Sequence, residues 1–210
     1  MITMNTLENM RFGEERALYA SRGLTLQNCR FEGAGDGGSA LKESAEILAR
    51  DCFFDLRYPL WHVRGARLER CEMTQNCRAA LWYDKDVTIS GCIMNGIKAV
   101  RECADVHVAD THISSPEFGW KSRGIVLENS SLDSEYAFFG SRGIRARGLR
   151  FEGKYSFQYT HDVRIEKSEL HTKDAFWHSK NVTVSDSEVV GEYLGWYSEG
   201  LTLIRSHIRG

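Results

Sequence analysis

Glu102 stands beside Arg101, and about one repeat further on come Glu117 and Lys121. A carboxylate next to a cation can take an acidic proton or activate water, while arginine steadies the oxyanion that develops. Glu102, Arg101 and Lys121 are therefore the candidate catalytic groups. The same residue types side by side also form ordinary surface ion pairs that contribute little. A second group is aromatic. The five tryptophans Trp61, Trp82, Trp120, Trp177 and Trp196 lie 21, 38, 57 and 19 residues apart, multiples of 19 but for the first interval. The position after them supplies His62, Tyr83, His178 and Tyr197. Aromatic faces in a row, with polar groups beside them, suit an elongated sugar chain, the rings packing on C–H faces and the polar groups fixing hydroxyls. The competing reading is a purely structural ladder, in which each cross-strand pair is worth roughly 0.2–1 kcal/mol.

Other chemistry is absent from the pattern. His62 and His178 are six repeats apart, too far to share a metal, and no carboxylate cluster has the density that calcium needs. No CxxC pair is present. We expect no metal and no cofactor. Serines at 21, 44, 122, 141, 179 and 198 recur at one position and read as a hydrogen-bonded corner, not as nucleophiles.

These residues are positioned by a repeat. Asp162–Leu170 (DVRIEKSEL) returns as Asn181–Val189 (NVTVSDSEV) and Gly200–Ile208 (GLTLIRSHI), and backward with small changes of spacing to GLTLQNCRF at 23–31. A fixed period of this size is the signature of a solenoid. Val163 and Ile165 alternate with Arg164 and Glu166, a short strand with one buried face. Two more apolar columns follow the same period, one from Phe31 to Ile208 and one from Leu18 to Gly195. Gly, Asp and Asn precede each strand, residues that tolerate the positive φ of a tight corner. Nineteen residues with three strands leave no room for a helix. The expected fold is all-β: a right-handed single-stranded parallel β-helix of about ten 19-residue coils, each buried against its neighbours.

One domain of 210 residues is expected, with 1–9 capping the open end and 10–210 forming coils. Insertions within GAGDGGS (33–39) and TQNCRA (74–79) fall in the same connection, so both should emerge on one edge. The C-terminal end, at Arg209–Gly210, carries no covering helix, which points to a longer protein or to a homo-oligomer through that end. Net charge is −2 with both signs interspersed, and no basic stripe is evident along the chain, which argues against nucleic acid. No apolar run reaches membrane-spanning length and the start lacks a signal layout, so the expected location is cytoplasmic. Four of six cysteines occupy one inward column that later becomes Thr and Ser, which reads as a requirement for small size and for reduced thiols.

The phrases GEERALYAS (13–21), YPLWH (58–62), LWYDKDVTI (81–89), KDAFWHSKNVTV (173–184) and GEYLGWYSEGLTL (191–203) resemble a widespread bacterial family, the domain-of-unknown-function 3737 family of pectin-lyase-like type. The resemblance spans nearly the whole chain and implies a right-handed β-helix, usually with further coils. It implies no catalytic residues. The calcium-binding aspartates and arginine signature of pectate lyases are not visible, nor are the paired aspartates of polygalacturonases. Three functions stand at this stage: a protein binding an oligo- or polysaccharide on the aromatic strip, a non-catalytic scaffold, and a carbohydrate-active lyase, hydrolase or isomerase.

Overall fold

The structure, a computed structural model, describes residues 5–33 and 38–210. Among these there is no helix. The chain coils into two eleven-stranded parallel sheets and a short third one. The long sheet takes a six-residue strand from most coils, such as Arg123–Glu128, Arg142–Arg147 and His161–Glu166. The second sheet takes two or three residues per coil, from Arg11–Phe12 to His207–Arg209. Rungs spaced about 4.8 Å make eleven coils a rod on the order of 50 Å long.

The count is one rung more than the sequence pattern showed. Asn5–Glu8, within the stretch expected to cap the end, pairs in parallel with Leu24–Gln27 as a further rung of the long sheet. Asn5 stands in register with Leu24, so the first of the two inward apolar positions is missing from this rung. The insertion read within 33–39 falls largely outside the described residues. The one at 74–79 is a compact turn: Thr74 and Asn76 hydrogen-bond to Asp55, and Cys77 is buried beneath.

Alternation fixes the register. In each long strand the two apolar positions point in, as with Ile125 and Leu127 or Val163 and Ile165, all buried. Identical positions stack. Phe12, Phe31 and Phe54 lie 5.1 and 4.7 Å apart between ring centroids, and Phe138, Phe157 and Phe176 lie 4.9 and 5.2 Å apart. Such aromatic pairs add to the area that they bury.

The third corner changes along the rod. Leu60–Trp61, Leu81–Trp82 and Val100–Arg101 form true strands of the third sheet, with one further bridge from Arg101 to Trp120. From Gly119 onward this position leaves the extended conformation: Gly119, Phe138, Phe157, Phe176 and Gly195 have φ of 75°, 61°, 57°, 62° and 71°. A non-glycine held there costs on the order of 1–3 kcal/mol and persists only where packing over-determines it. The stacked phenylalanines supply that packing. At Gly119 a side chain is excluded, since a Cβ would lie 2.7 Å from the Phe138 ring, and Phe118 fills the core instead.

Polar corners are hydrogen-bonded ladders. In the column that begins with cysteine, the polar members from Cys92 onward accept from the N–H of the preceding coil and donate to a carbonyl of their own, with Leu149 as an apolar interruption. Thr111 Oγ1 accepts from Cys92 N at 3.2 Å and donates to Ala109 O at 2.8 Å. Ser168 does the same toward Leu149 and Glu166, and Cys92 Sγ toward Cys71 and Ser90. Small size is thus half of the requirement; the other half is a group that both donates and accepts. All six cysteines are unpaired and buried. Burial pushes the Cys77 thiol up to about 12 and raises Cys103 further, so both stay protonated. The serine column is the second ladder, with Ser122 Oγ accepting from Cys103 N and Ser44 Oγ from Ser21 N.

Candidate functional site

The aromatic strip also divides, but later than the fold, after Trp120. In the first coils the strand geometry holds successive side chains directly above one another. Trp61 and Trp82 stack at 4.9 Å with planes 12° apart. Lys42 Nζ caps the far face of Trp61, 3.8 Å from its centroid, and the Arg101 guanidinium lies 5.0 Å from that of Trp82. Lysine, two indoles and arginine thus form one column, and the indole faces are occupied by neighbours. Tyr58 closes on both rings from the side. Trp120 continues the pattern. Phe139 lies 5.2 Å away, Lys98 covers a face, and the indole N–H donates to Tyr136 O. All three tryptophans are half-buried.

Trp177 and Trp196 differ. Among the described residues no ring stacking joins them and no cation lies over either. Trp177 lies almost parallel to His178 beside it, and Trp196 meets Tyr193 edge-on at 79°. Trp177 is 36% exposed, Trp196 56% and Tyr197 71%. Tyr159, His178 and Tyr197 form a stack with centroids 5.0 Å apart and planes 10–12° apart, so their edges and the outer face of Tyr197 meet solvent. Further back, His62 packs edge-on against Tyr83 and sits 3.8 Å from Glu43.

The proposed catalytic groups come together only in part. Arg101 Nε lies 3.2 Å from Glu102 Oε1, and Tyr83 donates its hydroxyl to the same carboxylate. Burial acts to raise the Glu102 pKa, but the Tyr83 and Arg101 contacts overcome it and hold the group below the usual carboxylate range. A carboxylate so stabilised is a weaker base. Glu117 is engaged by Lys98 at 3.0 Å, and Lys121 makes no ion pair among the described residues. Glu102 and Arg101 are thus tied into the tryptophan column as much as they are presented to solvent.

Asp84 is the group that the sequence misplaced. It reads as a charged corner residue beside Lys85 and Asp86, yet it is buried within the serine ladder. Its Oδ1 accepts from Val63 N at 2.7 Å, as a serine hydroxyl would one coil away, and its Oδ2 has no partner. Burial drives its pKa well above the normal value, which favours the protonated form over the carboxylate.

A wide concavity lies elsewhere, on the outer face of the long sheet. This groove of about 980 Å³ runs from the coil of Asp105 to that of Gly200, with His107, Val126, Arg145, Arg164 and Thr183 as its floor. Its edge is the corner column of Asp105, Gly124, Gly143, Asp162, Asn181 and Gly200. The insertion at 74–79 does not contribute to it. Among the described residues no three His, Cys, Asp or Glu side chains gather into a metal site, and no helix is long and apolar enough to cross a membrane.

A family model described as "Protein of unknown function (DUF3737)" matches residues 5–210. No curated protein matches the sequence significantly. Among solved structures, the surface adhesin PfbA of Streptococcus pneumoniae is similar at 7% identity and a TM-score of 0.55, over 100% of this chain and 84% of its own. A tailspike protein mutant of the Escherichia coli bacteriophage HK620, in complex with a hexasaccharide, is similar at 8% identity and a TM-score of 0.52, over 98% of this chain and 48% of its own. At these identities the likeness is one of fold.

Proposed function

The chain belongs to the DUF3737 family, and we propose that it binds an extended saccharide through the exposed aromatic residues of its later coils. The observation that carries this reading is the open indole pair Trp177 and Trp196, with Tyr197 beside them, on successive rungs of a rigid rod. Sugar rings pack their C–H faces on aromatic faces, and a face is useful only when nothing else covers it. Rungs recurring at about 4.8 Å offer repeated platforms to a repeating ligand. His178 stands alongside Trp177 and Tyr197 as a hydrogen-bonding group for hydroxyls. The tailspike protein of similar fold is seen with a hexasaccharide, which makes an elongated sugar the class to test first.

Isothermal titration calorimetry against neutral oligosaccharides of increasing length tests this reading. Affinity is expected to rise with length up to the span of the exposed rungs, and Trp196→Ala to weaken it by about tenfold. Affinity independent of length, or unchanged in Trp196→Ala, would overturn it.

A further inference from the structure

The open face of the long sheet carries a charge pattern that the linear sequence conceals. Residues 19 apart become neighbours across the sheet. Arg145 and Arg164 pair in register, and so do Arg123 with Arg142, Arg142 with His161, and His161 with Lys180. Two cationic rows therefore run along the rod, one on the floor of the groove and one beyond its corner edge. The expectation of no basic stripe is corrected here: the stripe is built by the coiling.

Like charges directly opposite one another destabilise a sheet, and carboxylates usually relieve them. Nearby the relief is present, since His107 meets Glu128 at 2.9 Å and Arg147 approaches Glu166 at 3.9 Å. On the groove floor it is missing. Among the described residues none of Arg123, Arg142, Arg145 and Arg164 meets a carboxylate. Two unpaired guanidinium groups one rung apart, at the bottom of an elongated open groove, form a site for anions spaced along a chain.

We propose that this groove binds a carboxylate-bearing saccharide chain, at a site separate from the aromatic strip. Arg145 and Arg164 take successive carboxylates as bidentate partners. Thr183, Asn181 and Asp162, on the next rungs and along the edge, take hydroxyls. The edge favours a sugar over a nucleic acid. A single strand needs aromatic platforms for its bases, and among the described residues the groove offers no ring but the imidazole of His107 at one end. Asp105 and Asp162 on the same edge would repel closely spaced phosphates, whereas a uronic acid offers hydroxyls to them. The glycines at 124, 143 and 200 lower the wall so that a chain can lie in the groove lengthwise.

The test is calorimetric titration of the protein with hexagalacturonate, with its carboxyl-reduced neutral counterpart and with a single-stranded oligonucleotide. The uronate is expected to bind, more weakly as salt is raised, and the neutral counterpart to bind at least roughly tenfold less well. Arg145→Gln/Arg164→Gln should lose uronate affinity by a similar factor while retaining its circular dichroism spectrum and its affinity for neutral sugars. Trp196→Ala should keep uronate affinity, which separates this site from the aromatic one. No binding of the uronate, equal binding of the neutral counterpart, an unaffected double arginine variant, or tighter binding of the oligonucleotide would each overturn the proposal.

Discussion

The coils up to Arg101 and those from Gly119 onward share one repeat and one sheet register, yet they solve their third corner differently. In the first stretch the corner is a strand, and its outward side chains stack into the column Lys42, Trp61, Trp82, Arg101. In the second it is a left-handed turn built over stacked phenylalanines, and the tryptophans that follow do not stack on one another. The contrast teaches that one sequence column can carry two roles. Where the backbone continues as a strand, the aromatic faces are used internally. Where it turns at Phe176 and Gly195, they are left for something else, whereas Trp120, after the turn at Gly119, is still covered by Phe139 and Lys98.

The largest way to break this contrast is through the phenylalanine stack. Phe157→Ala removes the ring between Phe138 and Phe176 and should destabilise the later coils by about 3–5 kcal/mol, measured by urea unfolding. The loss should be felt first in those coils, because a solenoid is stabilised by nearest-neighbour contacts.

Next is Asp84, in the first stretch, where a carboxyl occupies a rung that serine fills at 44, 122 and 141. Asp84→Ser should stabilise the protein by about 1–3 kcal/mol near neutral pH by removing a buried orphan oxygen. The sign of the pH dependence follows from the raised pKa of the folded state. Below the ordinary aspartate range both folded and unfolded chains hold the proton, and Asp84 carries no ionisation penalty. As pH rises the unfolded chain ionises first, so wild type loses stability relative to the variant until the folded-state pKa is passed. Thermal unfolding of both proteins from pH 4 to pH 8 should show the gap widening upward; a gap that narrows would contradict the assignment.

A smaller effect is expected from Lys42→Ala. It uncovers one face of Trp61 and should cost about 0.5–1 kcal/mol in denaturant unfolding, while increasing acrylamide quenching of tryptophan emission. The smallest effect sharpens the contrast from the other side. Arg145→Gln relieves a like-charge rung pair and should raise stability by about 0.2–0.5 kcal/mol at low salt, with the gain vanishing as salt screens the pair.

Much of the fold was legible because burial repeats with the coil. Val163, Ile165 and the Phe138–Phe176 column are buried where the pattern places them. What escaped depends on geometry that spacing does not encode. The first rung at Asn5–Glu8 carries Asn5 where the next rung has the inward apolar Leu24. Asp84 looks like surface charge because nothing local shows that its corner faces inward. The hydrogen-bonding role of Cys92, Thr111 and Ser168 was visible only as small size, since the donor and acceptor belong to different coils. The basic rows were invisible for the same reason. Arg145 and Arg164 are 19 residues apart along the chain and become neighbours only once it coils. The aromatic strip was found as one feature and is two, because stacking turns on φ at Phe176 and Gly195 rather than on the identity of the tryptophans.

The central claim is that tryptophan faces are closed in the early coils and open in the later ones, and that the open ones hold a saccharide. The most direct measurement compares two triply or doubly substituted proteins by fluorescence titration with a neutral oligosaccharide. One retains only Trp177 and Trp196 (Trp61→Phe/Trp82→Phe/Trp120→Phe); the other retains only Trp61, Trp82 and Trp120 (Trp177→Phe/Trp196→Phe). A saturable change in emission from the first protein, and none from the second, is the predicted result. A response carried by Trp61, Trp82 and Trp120, or by neither protein, would contradict it.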